Sequence, residues 1–106
     1  MISGNLSESS HIIVYSGFLK PSYHLDSIQT QRTLAFVRDG ACLFEKRKPC
    51  SSTNTILLFY NSKNTYLGAI KVSEKDQIIM VPAHSNTHVG YKLTIPCFNK
   101  LKHILN

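Results

Sequence analysis

The stretch Thr33–Arg47, TLAFVRDGACLFEKR, places the pair Asp39-Gly40 between two alternating apolar runs. In that setting an Asp-Gly pair is the signature of a two-residue type I′ turn, because both central positions then take positive φ. The pair predicts a hairpin in which Val37 faces Cys42, Ala35 faces Phe44 and Phe36 faces Leu43. On this register Ala35, Val37, Cys42 and Phe44 share an apolar face directed to the core. Leu34, Phe36, Arg38, Leu43 and Glu45 share the other. That second face is too apolar to be fully wet, so Leu34, Phe36 and Leu43 are expected to meet another sheet or a partner.

Outward from the hairpin, the same pattern repeats. His11–Lys20, Asn54–Asn61, Thr65–Ser73, Gln77–Ala83 and His88–Ile95 are short apolar segments closed by turn formers. With Thr33–Asp39 and Ala41–Arg47 they make a series of strands at a spacing of about ten residues, which points to an antiparallel barrel or sandwich. Gly17 interrupts the first segment where a bulge would bend it. Pro21–Gln31 shows no clean alternation and reads as a long loop. Phe98, Leu101, Ile104 and Leu105 fall at helical spacing and predict a C-terminal helix docked on the sheet. The expected fold is mainly β: a seven-stranded antiparallel barrel or sandwich with one C-terminal helix.

A chain of 106 residues with 42% apolar content is expected to form one domain over residues 11–106, behind a serine-rich flexible arm over residues 1–10. No apolar run approaches the ~20 residues that span a bilayer, and residues 1–10 lack the basic-then-apolar order of a secretory signal. Cys42, Cys50 and Cys97 are odd in number and contain no C-x-x-C pair. They read as a poor disulfide framework, with Cys42 a small buried residue on a strand and Cys50 the exposed thiol. Together these features predict a cytoplasmic protein, with peripheral membrane attachment through charge as a variant.

The net charge of +6 favours anionic partners. Phosphate-binding glycine loops and the Gly-x-Ser-x-Gly elbow are missing from the sequence, and the carboxylates Asp39, Glu74 and Asp76 are placed in turns. His84, His88, Cys97 and His103 are too irregularly spaced for a zinc knuckle, so no metal and no cofactor is expected. His84, His88, Tyr91 and Lys92 hold the residue types a metal-independent ribonuclease would use as base, acid and cation. The stronger pattern is basic. Lys20 and Arg32 bracket the long loop, Arg38 lies at the hairpin, and Lys46, Arg47 and Lys48 leave the third strand. In a small barrel these loops gather at one end as a basic mouth for phosphate groups. Phe59, Tyr60 and Tyr66 are aromatics that either stack bases or fill the core.

Ser16–Ser22 (SGFLKPS), Arg32–Lys46 (RTLAFVRDGACLFEK) and Tyr66–Val72 (YLGAIKV) resemble strands of the pleckstrin-homology fold, and the likeness extends from Ile12 to Leu105. It implies two near-orthogonal antiparallel sheets closed by a helix. It also implies an adaptor-like module that binds phosphoinositide headgroups, peptides or protein surfaces. Lys20 and Arg32 match two of that family's headgroup-binding positions, while Leu34 occupies the third. The expected function is therefore a non-catalytic binding module, with a protein partner first and an anionic lipid surface second. The alternative is a small basic ribonuclease or nucleic-acid-binding protein.

Overall fold

Thr55–Tyr60 (TILLFY) alternates strictly between buried and half-buried positions and forms an interior strand. Its β-branched and aromatic residues suit a pleated surface covered on one side. The computed structural model describes residues 6, 8–16, 21–39, 42, 45–47, 55–82 and 87–105, with the backbone alone for 45–47. The strands are β1 (His11–Ser16), β2 (Tyr23–His24), β3 (Glu45–Arg47), β4 (Thr55–Tyr60), β5 (Tyr66–Ser73), β6 (Ile78–Pro82) and β7 (His88–Lys92). They form one seven-stranded sheet in the order β2-β1-β4-β5-β6-β7-β3, with every pairing antiparallel. The two edges, β2 and β3, do not meet, so the sheet is open rather than a barrel.

Two helices, α1 (Ser27–Asp39) and α2 (Ile95–Leu105), cover one face. Leu34, Phe36 and Val37 of α1 and Phe98, Leu101, Ile104 and Leu105 of α2 share a buried cluster with Ile12, Val14, Leu57, Phe59, Ile70, Val72, Ile79 and Val81. The strand residues in that cluster are the alternate positions of four adjacent strands, as the period of two requires. Among the described residues no helix is long and apolar enough to cross a membrane.

The helix over Ser27–Asp39 overturns the hairpin reading of Thr33–Arg47. Asp26 caps it reciprocally: the Gln29 N–H donates to Asp26 Oδ1 at 2.7 Å, and the Asp26 N–H donates to Gln29 Oε1 at 3.0 Å. This is a capping box, which satisfies two donors that a helix start otherwise leaves unpaired. Thr30, Thr33, Leu34 and Val37 then recur at helical spacing on the buried side. The Thr33 hydroxyl returns to the Gln29 carbonyl at 2.8 Å. Val37 therefore faces the core from a helix, not Cys42 from a strand. Gly40, Leu43 and Phe44 lie outside the described residues. The long loop expected over Pro21–Gln31 is instead β2 followed by the first turn of α1.

The C-terminal helix is as expected but starts earlier, at Ile95. Thr94 Oγ1 accepts the Cys97 N–H at 3.3 Å, and Pro96 sits in the first turn, where its missing N–H costs nothing. Cys42 and Cys97 form a disulfide, which corrects the reading of Cys42 as a free, buried strand residue. The odd cysteine count hid this pair, because counting cannot show which two meet. Leu6, in the stretch expected to be a flexible arm, is fully buried in the core. Gly68, at a φ of 154°, leaves room for it: a Cβ there would lie 3.1 Å from Leu6 Cδ2.

Candidate functional site

The basic mouth expected from sequence required the loops after the first and third strands to lie together. The sheet order sets β2 at one edge and β3, which carries Lys46 and Arg47, at the other, while residues 17–20 and 48–54 lie outside the described residues. Arg32 and Arg38 are exposed on α1. Lys20 and Lys48 lie outside the described residues. The partner face built on Leu34, Phe36 and Leu43 also changes character. Leu34 is 6% and Phe36 4% exposed within the core, and Leu43 is outside the described residues.

Among the ribonuclease candidates, His84 is outside the described residues and the others do not converge. Tyr91 pairs with Ile79 on the helix-covered side and packs against the core. His88 and Lys92 project from the opposite side, where period two places them. The His88 Nε2 lies 3.1 Å from the Ala69 carbonyl, which can only accept, so Nε2 carries the proton. The β5–β6 pairs end at Lys71↔Met80, and two residues further Pro82 has no N–H to offer. The imidazole takes over that acceptor. Lys92 Nζ donates to the Asp76 carbonyl at 2.6 Å. Both side chains thus hold backbone carbonyls of the β5–β6 hairpin, Ala69 on the strand and Asp76 in the turn.

A different group of residues does come together. On the sheet face opposite the helices, a row of rings crosses four adjacent strands: His24 on β2, His11 on β1, Tyr60 on β4 and Tyr66 on β5. His11 and Tyr60 are direct cross-strand partners and stack with centroids 5.3 Å apart and planes 6° from parallel. Tyr60 and Tyr66 meet edge to face at 5.8 Å, and His11 and His24 are tilted neighbours at 6.4 Å. Tyr66 is 54% exposed, and Tyr15, further along the same face of β1, is 47% exposed.

A register irregularity at Phe59/Tyr60 completes the row. Thr55 to Phe59 pair with Val72 to Gly68 in steady sequence, which would set Tyr60 opposite Leu67; Tyr60 pairs with Tyr66 instead. The extra residue on β5 re-aims Tyr66 to the face that Tyr60 occupies. The neighbouring turn places a cation beside the row. Asn61 Oδ1 accepts the N–H groups of Lys63 and Thr65, each at 2.9 Å, and Asn64 takes a φ of 63°. Lys63 is thereby held exposed at the rim. On the same face Ile13, Ile56, Leu58 and Lys71 are half-buried, while Ala69, Ser73 and Met80, toward β6, are buried.

Phe59 belongs to the other face and is fully buried: parity separates it from Tyr60, and the register irregularity brings Tyr66 to Tyr60's side. Sequence reasoning missed His11 and His24. Their alternation with Ile12 and Leu25 marked them as outward-facing, but only the pairing of β1 with both β2 and β4 shows that they join Tyr60.

The architecture is thus an open antiparallel sheet with helices on one face and an aromatic, cation-edged surface on the other. Comparison of the chain with protein-family models, with curated proteins and with solved structures finds no match.

Proposed function

We propose that this protein binds single-stranded nucleic acid on the face of its sheet opposite α1 and α2. The observation that carries this reading is the ring row His24–His11–Tyr60–Tyr66, which crosses four neighbouring strands with its outer members exposed. Four strands span roughly 14 Å across the sheet, enough for about two or three unstacked bases. Stacking on aromatic rings is tolerant of sequence because every base has a π-face. The net charge of +6, with Lys63 and Lys71 on or beside this surface, supplies attraction for the phosphates.

The pleckstrin-homology likeness would assign function to Lys20, Arg32 and position 34. In this fold Arg32 stands on a helix and Leu34 is buried, so headgroup recognition through that motif has less support than the ring row.

Fluorescence anisotropy with labelled oligouridine and oligothymidine at low salt tests the reading. Both single strands should bind, duplex of equal length should bind more weakly, and affinity should fall with added salt. Tyr66→Ala should weaken single-strand binding about tenfold, since one stacked base contributes ~1–3 kcal/mol. Tyr66 is exposed, so the variant should fold. Equal affinity for duplex and single strands, or no effect of Tyr66→Ala, would remove the role of the rings. Binding to acidic vesicles but not to oligonucleotides would favour a lipid surface instead.

A further inference from the structure

A second surface lies on the other side of the molecule, between the helices. α1 and α2 run antiparallel and are pinned at both ends. Gln29, in the first turn of α1, donates its Nε2–H to the Ile104 carbonyl at 3.1 Å, and the Tyr23 hydroxyl donates to the Leu105 carbonyl at 2.7 Å. At the far end, Cys42, just beyond α1, is disulfide-bonded to Cys97 in the first turn of α2. Between these pins a groove of about 310 Å³ is lined by Arg32, Phe36 and Asp39 of α1 and Lys100, His103 and Ile104 of α2. Phe36 and Ile104 are buried and form an apolar floor, while Arg32, Asp39, Lys100 and His103 are exposed around it.

The rim is polarised. Arg32 and His103 lie close in sequence to Gln29 and Ile104, hence toward the hydrogen-bonded end. Asp39 lies toward the disulfide end. Along α1, Arg32 and Asp39 are separated by roughly 10 Å at 1.5 Å per residue. No ion pair among the described residues joins Asp39 to Arg32, Lys100 or His103. Arg32 and Lys100, with His103 beside them, outnumber the single carboxylate, and a guanidinium is well shaped to hold a carboxylate through two parallel hydrogen bonds.

We infer that this groove is a binding site for a small amphipathic carboxylate. Its head lies at Arg32 and His103, and its apolar chain lies over Phe36 and Ile104 toward Asp39. A mostly apolar cleft with few converging polar groups is the usual form of a small-molecule site, and its volume lies at the low end of their range. Asp39 gives the site a direction, because a second carboxylate at the far end of the ligand would be repelled.

Octanoate, titrated into the disulfide-bonded protein and followed by amide chemical shifts, tests the inference. Shifts should concentrate on Arg32 to Asp39 and Lys100 to Ile104. Octanol and octanedioate should each bind at least tenfold more weakly than octanoate. Arg32→Glu should weaken octanoate at least tenfold while the amide spectrum stays dispersed, and His103→Ala should weaken it by a smaller factor. Tyr66→Ala should leave octanoate affinity unchanged, which keeps this test independent of nucleic-acid binding. The inference is overturned if octanol binds as tightly, if Arg32→Glu has no effect, if shifts fall on the ring row, or if millimolar octanoate produces no shifts.

Discussion

Tyr23 does two jobs, one with its ring and one with its hydroxyl. Its ring packs against the core, and its O–H donates to the Leu105 carbonyl, one of the acceptors that the end of α2 leaves without an internal partner. Burial raises its pKa above the ordinary value of 10.0, because the phenolate would have to form away from water. The folded state therefore holds the proton more tightly than the unfolded chain. The contribution is fully present below pH 10.0 and is lost as pH rises past it. Tyr23→Phe should cost about 1 kcal/mol at neutral pH through the lost hydrogen bond. In urea titrations the gap between wild type and variant should narrow above that pH. A constant gap across the alkaline range would show that the hydroxyl is not the group responsible.

Among the elements, α1 shows best where local pattern misleads. Leu34 and Phe36 alternate with small or polar neighbours as a strand's outer face would, and Asp39-Gly40 resembles a hairpin turn. Both signals also fit a helix end, since a glycine directly after the last helical residue is a common stop. The deciding evidence lay upstream: Asp26 followed three residues later by Gln29, ahead of Thr30, Thr33, Leu34 and Val37 at helical spacing. Asp26→Ala should lower stability by about 1 kcal/mol through loss of the cap, read as a reduced denaturation midpoint with unchanged slope. Asp26→Ser, which restores an acceptor, should recover most of it. Strands β4 to β7 were legible because each is a short apolar stretch bounded by turn formers, and α2 because four apolar residues share one helical stripe. The ring row was half legible: parity placed Tyr60 outward, but the bulge that brings Tyr66 beside it depends on strand pairing.

At the scale of the whole molecule, the sheet separates two surfaces of different chemistry, rings on one side and a cation-rimmed groove on the other. The described part of the expected basic mouth is spread over this arrangement, with Arg32 and Arg38 on α1 and Lys46 and Arg47 on β3. That reading takes the strands as a simple meander, whereas β1 pairs with β4 and β3 pairs with β7, so Lys46 and Arg47 stand at the edge opposite β2. No local pattern encodes such a choice of partners. The Cys42–Cys97 link, with a sequence separation of 55, ties the region after the first helix to the last. In the chain-entropy account, closing a loop of that size stabilises the fold by about 4 kcal/mol. Reduction, or Cys42→Ser with Cys97→Ser, should therefore lower thermal stability markedly. An unchanged melting temperature under reductant would mean that the link contributes nothing in solution.

The hold of Tyr23 and Gln29 on the last carbonyls of α2 also bears on how the protein is made. The Tyr23–Leu105 bond joins residues 82 apart, and the buried side of α1 is shared with a helix synthesised after every strand. At roughly 5–20 residues per second, Leu34, Phe36 and Val37 leave the ribosome on the order of seconds before their cover exists. Final closure thus waits until Ile95–Leu105 has been synthesised. A nascent chain stalled before Ile95 would still display that apolar stripe, so products lacking α2 would carry their own mark for chaperones and proteases.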